Sequence, residues 1–218
     1  MTGTQVHDYP DFKTPLEALR WCWVNFGKRA SVGTSLQGAG LAILHMAYSN
    51  GMPFPVFMID TGLLFQETLD LKKKIEEFLT LQIESLAPEF DPAGQEQLHG
   101  KKLWLRNPDL CCHMRKVLPL QRKLETLDVW ITGVRRDQSR ERSKTGLVEA
   151  FQRTTSSSVK RILKVSPMAE WSRARVDAYL LKHKYDAPAS CYWVPDKRKA
   201  MGDIPWFFTY RVTNPIKK

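Results

Sequence analysis

Apolar residues recur along this chain at two alternating spacings, and the alternation predicts a fold class. In TPLEALRWCWVNFG (14–27), Leu16, Leu19, Trp23 and Phe26 fall at helical intervals. Thr14, Pro15 and Glu17 open that segment as a capping box with proline at the first helical position. Cys22, inside it, reads as packing. RASVGT (29–34) is short and strand-like and runs into a small polar turn, SLQG (35–38). GLAILHMAYSN (40–50) has the apolar density of a buried helix, and PFPVFMID (53–60) predicts the next strand. FQETLDLKKKIEEFLT (65–80) is amphipathic, with Leu71, Ile75 and Phe78 expected on one face. LQIESLA (81–87) predicts a strand, CCHMRKVLPLQRKLE (111–125) a helix and DVWITG (128–133) another strand. RILKVSPMA (161–169) adds a short strand, and WSRARVDAYLLKHK (171–184) a helix capped by Ser172. Strands and helices in alternation predict an α/β fold: a parallel twisted sheet with helices on both faces.

From about residue 185 the periodicity ends, and proline, aromatic and charged residues follow without pattern. The expected organisation is one α/β domain over 1–184 and an irregular tail over 185–218, packed across the sheet edge or the active site. Hydrophobic residues make up 43% of the 218, enough for a core and too many for a disordered chain. No stretch approaches twenty apolar residues, so no membrane-spanning helix is expected. The start, MTGTQVHDYPDF, carries no basic-then-apolar leader, which makes a cytoplasmic protein the expectation. Four cysteines without framework spacing do not form a secreted disulfide scaffold.

The formal charge of +10 narrows the partners to anions: nucleic acid, a small phosphorylated or sulfated substrate, or an acidic protein. The basic residues form no single stripe, since Arg135 and Arg136 lie far from the KRK at 197–199. With no helix-turn-helix signal and no RNA-recognition consensus, nucleic acid recedes and small anions lead.

Three stretches fall where open α/β sheets bind ligands, at the carboxyl ends of strands. Thr34-Ser35-Leu36-Gln37-Gly38 joins a strand to a helix N-terminus, a setting that offers backbone N–H groups to phosphate or sulfate, or serves as an ordinary turn. In IDTGLLFQET (59–68), a strand ends at Asp60, and Thr61 and Gly62 let backbone approach a ligand or simply cap the next helix. WITGVRRDQSRERS (130–143) delivers Arg135, Arg136, Asp137, Gln138 and Arg142 directly after a strand, an arrangement suited to binding an anion bidentately. Cys111 and Cys112 are a fourth feature. Neighbouring cysteines bridge only under strain, so the pair points to a metal centre or thiol chemistry, against burial as two small hydrophobes.

TSLQGAG, IDTGLLFQET, CCHMRKVLPL, WITGVRRDQSRER and KVSPMAEWSRARVDAY occur here in one order over roughly residues 14–183. In these motifs the chain resembles the assimilatory adenylyl-sulfate and phosphoadenylyl-sulfate reductases. The resemblance implies an adenine-nucleotide α-hydrolase-like fold. It also implies a reaction: a cysteine thiolate attacks the sulfur of the sulfonucleotide, AMP or its 3′-phosphate form leaves, and thioredoxin or glutaredoxin releases sulfite. By the same resemblance Cys111 and Cys112 hold a [4Fe–4S] cluster, with Cys191 beginning the distant second ligand motif and Lys116 beside the cluster. Arg135, Arg136 and Arg142 hold the anionic end of the substrate, and Ser35 and Gln37 belong to the nucleotide loop. A homo-oligomer is left open.

The chain departs from the family pattern at three points. Val194 stands where the second cysteine of the distant CxxC is expected. The terminal ECGLH-like motif, whose cysteine is the family's nucleophile, has no counterpart after Cys191. Gln66 replaces the proline of the family's FPET motif. Three readings follow: a sequence shortened or altered near its end, a reductase using another thiol such as Cys191, or a nucleotide-binding relative that has lost the reaction.

Overall fold

The structure, a computed structural model, describes residues 9–154 and 159–183. The expected tail over 185–218, with Cys191 and Val194, lies outside the described residues. Among the described residues six strands form one sheet: β1 (Ala30–Gly33), β2 (Val56–Ile59), β3 (Ile83–Leu86), β4 (Val129–Thr132), β5 (Val148–Thr154) and β6 (Val159–Val165). Their order is β3-β2-β1-β4-β6-β5. All neighbours run parallel except β5, which returns antiparallel along β6. The chain therefore steps outward from β1 to β3, then crosses back to lay β4 on the other flank of β1. Such a reversal opens a crevice at the carboxyl ends of β1 and β4.

Among the described residues there are eight α-helices: α1 (Pro15–Phe26), α2 (Gly38–Tyr48), α3 (Gln66–Leu79), α4 (Pro92–His99), α5 (Leu103–Arg106), α6 (Pro108–Cys112), α7 (Leu118–Glu125) and α8 (Arg173–Lys182), with α1 before the first strand and α8 after β6. Strand side chains alternate between faces. Val32, Val56, Met58, Ile131 and Val165 share one core with Leu19 of α1, Ile43 of α2, Ile75 of α3 and Val176 of α8. Phe57, Ile59, Trp130 and Ile162 face the other way, onto Leu120 and Leu124 of α7. Helices thus cover both faces, as the alternation predicts.

The Thr14 hydroxyl accepts from the Glu17 N–H at 3.2 Å, as expected of the cap, and the Glu17 carboxylate accepts from the Lys13 N–H at 2.8 Å, so the reciprocal half of the capping box reaches one residue further out. Two expectations need correction. Phe78 is 42% exposed, because the inner stripe of α3 continues from Leu71 and Ile75 to Leu79, one residue further round the helix. The helix expected over 111–125 is broken by a π-turn at His113–Val117, where the Leu118 N–H reaches the His113 carbonyl. Pro119 lies within the first turn of α7 and has no N–H to give the Arg115 carbonyl four residues back, so an α-helical register cannot be completed there.

Candidate functional site

Three loops leave the sheet at its carboxyl edge on the flanks of β1. The first, Thr34–Gln37, is built around the Thr34 hydroxyl, which accepts from the Leu36 N–H at 2.9 Å. Leu36 is left-handed at φ 56° yet only 1% exposed, so its side chain anchors a strained loop into the core. Gly40 permits the geometry: a Cβ there would stand 2.4 Å from the Thr34 hydroxyl oxygen. Gly133, just past β4, is equally constrained, since its Cβ would meet the Gly40 backbone nitrogen at 2.9 Å. The end of β4 therefore rests on the first turn of α2. Ser35 is half-buried in this loop, and Gln37 is exposed at the cap position of α2.

The second loop carries the arginines. Arg135 is 7% exposed, and its Nε donates to Asp137 Oδ1 at 2.9 Å. Asp137 Oδ2 accepts the Arg173 N–H at 2.6 Å, at the start of α8. Gln138 Oε1 accepts from the Arg135 N–H at 3.1 Å and from Arg142 Nη1 at 2.5 Å. Arg136 donates from Nε to the Thr145 carbonyl at 2.8 Å and from Nη1 to Glu170 at 2.9 Å. Asp137, Gln138 and Arg136, expected at the substrate, are thus engaged in the loop's own bonding. Arg135 keeps Nη1 and Nη2 without a hydrogen bond among the described residues, and neither is sealed from solvent.

The third loop meets the thiols. Thr61 is buried and Gly62 is left-handed at φ 67°. Arg115 reaches them from the π-turn, donating from Nη1 to the Thr61 carbonyl at 2.6 Å. The residue is 1% exposed, yet among the described residues Nε and Nη2 have no hydrogen-bond partner. Cys111, one helical turn before it, is equally buried, with the Gln95 amide of α4 3.9 Å from its sulfur; Cys112 is half-buried. Burial pushes the Cys111 thiol above its ordinary value, against smaller opposing pulls from Gln95, Arg115 and Lys116. Burial holds Lys116 below the usual lysine range, while the two thiols pull it back up. Burial pushes Cys22, in the opposite core, up to about 12.

Thr61, Gly62, Cys111, Cys112 and Lys116 therefore share one corner, while Ser35, Gln37, Arg135 and Arg142 lie along β1 and β4. Sequence reasoning passed over Arg115 and Gln95. The signal for Arg115 was its position four residues after Cys111, which places both on one helical face. Arg115 supplies the test of whether these residues suit an iron–sulfur cluster. A buried guanidinium with two unpartnered nitrogens beside two thiols and a lysine is suited to an anionic, sulfide-bearing group. Among the described residues no three potential ligand side chains converge, and the corner holds two free thiols.

A family model for the phosphoadenosine phosphosulfate reductase domain matches residues 29–188. An adenosine 5′-phosphosulfate reductase of Halalkalibacterium halodurans is 30% identical over 181 residues, covering 83% of this chain and 76% of the relative. One of Bacillus mycoides is 36% identical over 172 residues, 78% and 71% of the two chains. Among solved structures, a phosphoadenylyl-sulfate reductase from Candida auris, in a phosphate complex, superposes with a TM-score of 0.68 at 27% identity. That match covers 86% of this chain and 90% of the other.

Proposed function

The chain belongs to the phosphoadenosine phosphosulfate reductase family, and on that premise we propose that it reduces adenylyl sulfate to sulfite and AMP in sulfate assimilation. The observation that carries this reading is the thiol corner, where Arg115 holds two unpartnered nitrogens beside Cys111 and the Thr61-Gly62 turn. The unphosphorylated nucleotide is favoured over its 3′-phosphate by the Cys111–Cys112 pair, which by resemblance marks that branch, and by the names of the two bacterial relatives.

In this reading the nucleotide lies across the crevice, with Ser35 and Gln37 on one side and Thr61 and Gly62 on the other. The Arg135 fork, helped by Arg142, takes the phosphosulfate. A cysteine thiolate attacks the sulfonyl sulfur, the sulfur–oxygen bond to phosphate breaks, and AMP leaves with the electron pair. The thiolate becomes an S-sulfocysteine. One thiolate of a dithiol carrier of the thioredoxin or glutaredoxin kind then attacks the cysteine sulfur and displaces sulfite, forming a mixed disulfide. The carrier's second thiol resolves it, freeing the enzyme cysteine and leaving the carrier as a disulfide. Arg135 and Lys116 offset the repulsion between thiolate and anion and the charge that builds on the leaving phosphate.

Cys191 is the proposed nucleophile. Cys22 is sealed in the core with its thiol pushed up to about 12, and Cys111 and Cys112 are assigned to the cluster, so none of the three is left as the attacking thiolate. Cys111 and Cys112 would hold a [4Fe–4S] cluster, with Cys191 as a further ligand if another thiol serves as nucleophile. When bound, such a cluster supplies negative, polarisable charge beside the substrate, which Arg115 and Lys116 would balance.

Sulfite release from adenylyl sulfate and from its 3′-phosphate, measured anaerobically with thioredoxin and dithiothreitol, tests the reading. Sulfite from adenylyl sulfate is expected, at a rate well above that from the 3′-phosphate. Nucleotide binding without sulfite from either would leave a binding relative that has lost the reaction.

A further inference from the structure

Asp137 makes two bonds that do not fit a substrate ligand. One carboxylate oxygen accepts from Arg135 Nε at 2.9 Å and the other from the Arg173 N–H at 2.6 Å. Both partners are donors, so both oxygens are committed. Its charge is also wrong for the task, since a carboxylate at the anion pocket repels a phosphosulfate. The surrounding bonds show what the carboxylate is attached to. The Arg136 N–H donates to the Ala169 carbonyl at 2.9 Å, and Arg136 Nη1 pairs with Glu170. The arginine loop is thereby joined to the segment that leads into α8, and Asp137 is the joint nearest Arg135.

The geometry points to Asp137 as a positioning residue: it clamps Arg135 by Nε, fixes the guanidinium plane, and leaves Nη1 and Nη2 as a fork for the substrate's phosphosulfate. The clamp is itself anchored on the N-terminus of α8, whose Val176 packs in the core behind the nucleotide loop. A guanidinium held at Nε presents two parallel N–H bonds without first losing rotamer freedom on binding. This rests on the reading above that Arg135 receives the anion.

Asparagine replaces one of the two accepting oxygens by a donor, so Asp137→Asn breaks the Arg135–Asp137–α8 bridge at one of its two bonds, and the clamp needs both. The test compares wild type, Asp137→Asn, Arg135→Ala and the double variant, by calorimetric affinity for adenylyl sulfate, AMP and uncharged adenosine. Asp137→Asn is expected to weaken adenylyl sulfate more than tenfold and adenosine by less than twofold. The double variant should bind no worse than Arg135→Ala alone, because one acts through the other. Adenosine affinity also reports that each variant is folded. Asp137→Ser, which keeps one acceptor, carries the same comparison if the asparagine variant does not fold. Tighter or unchanged binding in the Asp137 variant, or losses that add in the double variant, overturns the clamp. If Arg135→Ala is itself silent, the anion assignment fails and the clamp with it, which separates the two failures.

Discussion

Arg115 is the residue whose environment makes least sense without a ligand. A buried donor left unpaired costs about 1–3 kcal/mol, more when charged, and Arg115 leaves two nitrogens unpaired at 1% exposure. Stability alone would favour an apolar side chain there, since replacing a buried charge by a hydrophobe of similar volume is often neutral or stabilising. Arg115→Met is therefore expected to hold or raise the melting temperature of the cofactor-free protein, by up to about 5 °C. The same variant should lose at least tenfold in affinity for adenylyl sulfate, or in iron retained after anaerobic reconstitution. A lower melting temperature with both intact would make the guanidinium a structural clamp on Thr61 and nothing more.

The element that aims Arg115 is the π-turn, and Pro119 accounts for it. Without an N–H at Pro119 the α-register cannot close on the Arg115 carbonyl, and the chain widens by one residue over His113–Val117. Pro119→Ala restores the donor and permits a regular helix, which would turn Arg115 and Cys111 relative to the Thr61 carbonyl. The expected result is faster alkylation of Cys111 at pH 8, by several-fold, with helicity retained or increased by circular dichroism. An unchanged rate would show that packing, not the proline, holds the π-turn.

The same segment shows how far the sequence could be read. Its helical nature was legible in CCHMRKVLPLQRKLE, because apolar spacing survives a local widening. The break was not, since proline near a helix start is ordinarily compatible with α geometry. The Thr14 and Ser172 caps and strands β1 to β4 were legible for the reason that short-range hydrogen bonds and buried apolar runs are local. Strand β5 was not: VEAFQRT has a weak alternation, and it becomes a strand by pairing along all seven residues with β6. At the site, the loops were legible as positions after strands. The inward turn of Asp137 was not, because its partner Arg173 lies in α8 and is chosen by tertiary placement.

At the scale of the molecule, the order β3-β2-β1-β4 brings the strained loop after β1, the arginine loop after β4 and a thiol corner to one sheet edge, and the pH dependence of stability should carry the imprint of that gathering. Burial lowers Lys116 from 10.5, so between its folded value and 10.5 the unfolded chain holds more protons than the folded one. Stability attributable to Lys116 therefore rises with pH across that window. Burial raises Cys111 from 9.0, so above 9.0 the unfolded chain loses its proton first and stability falls. Where the two windows overlap, above pH 9.0, the slopes oppose each other. Lys116→Met removes the rising limb. In cofactor-free protein its melting temperature is expected to exceed wild type most at neutral pH, with the gap closing towards pH 10.5, while adenylyl sulfate affinity falls at least tenfold at every pH. Parallel melting curves for the two proteins would mean that burial does not hold Lys116 below the usual lysine range.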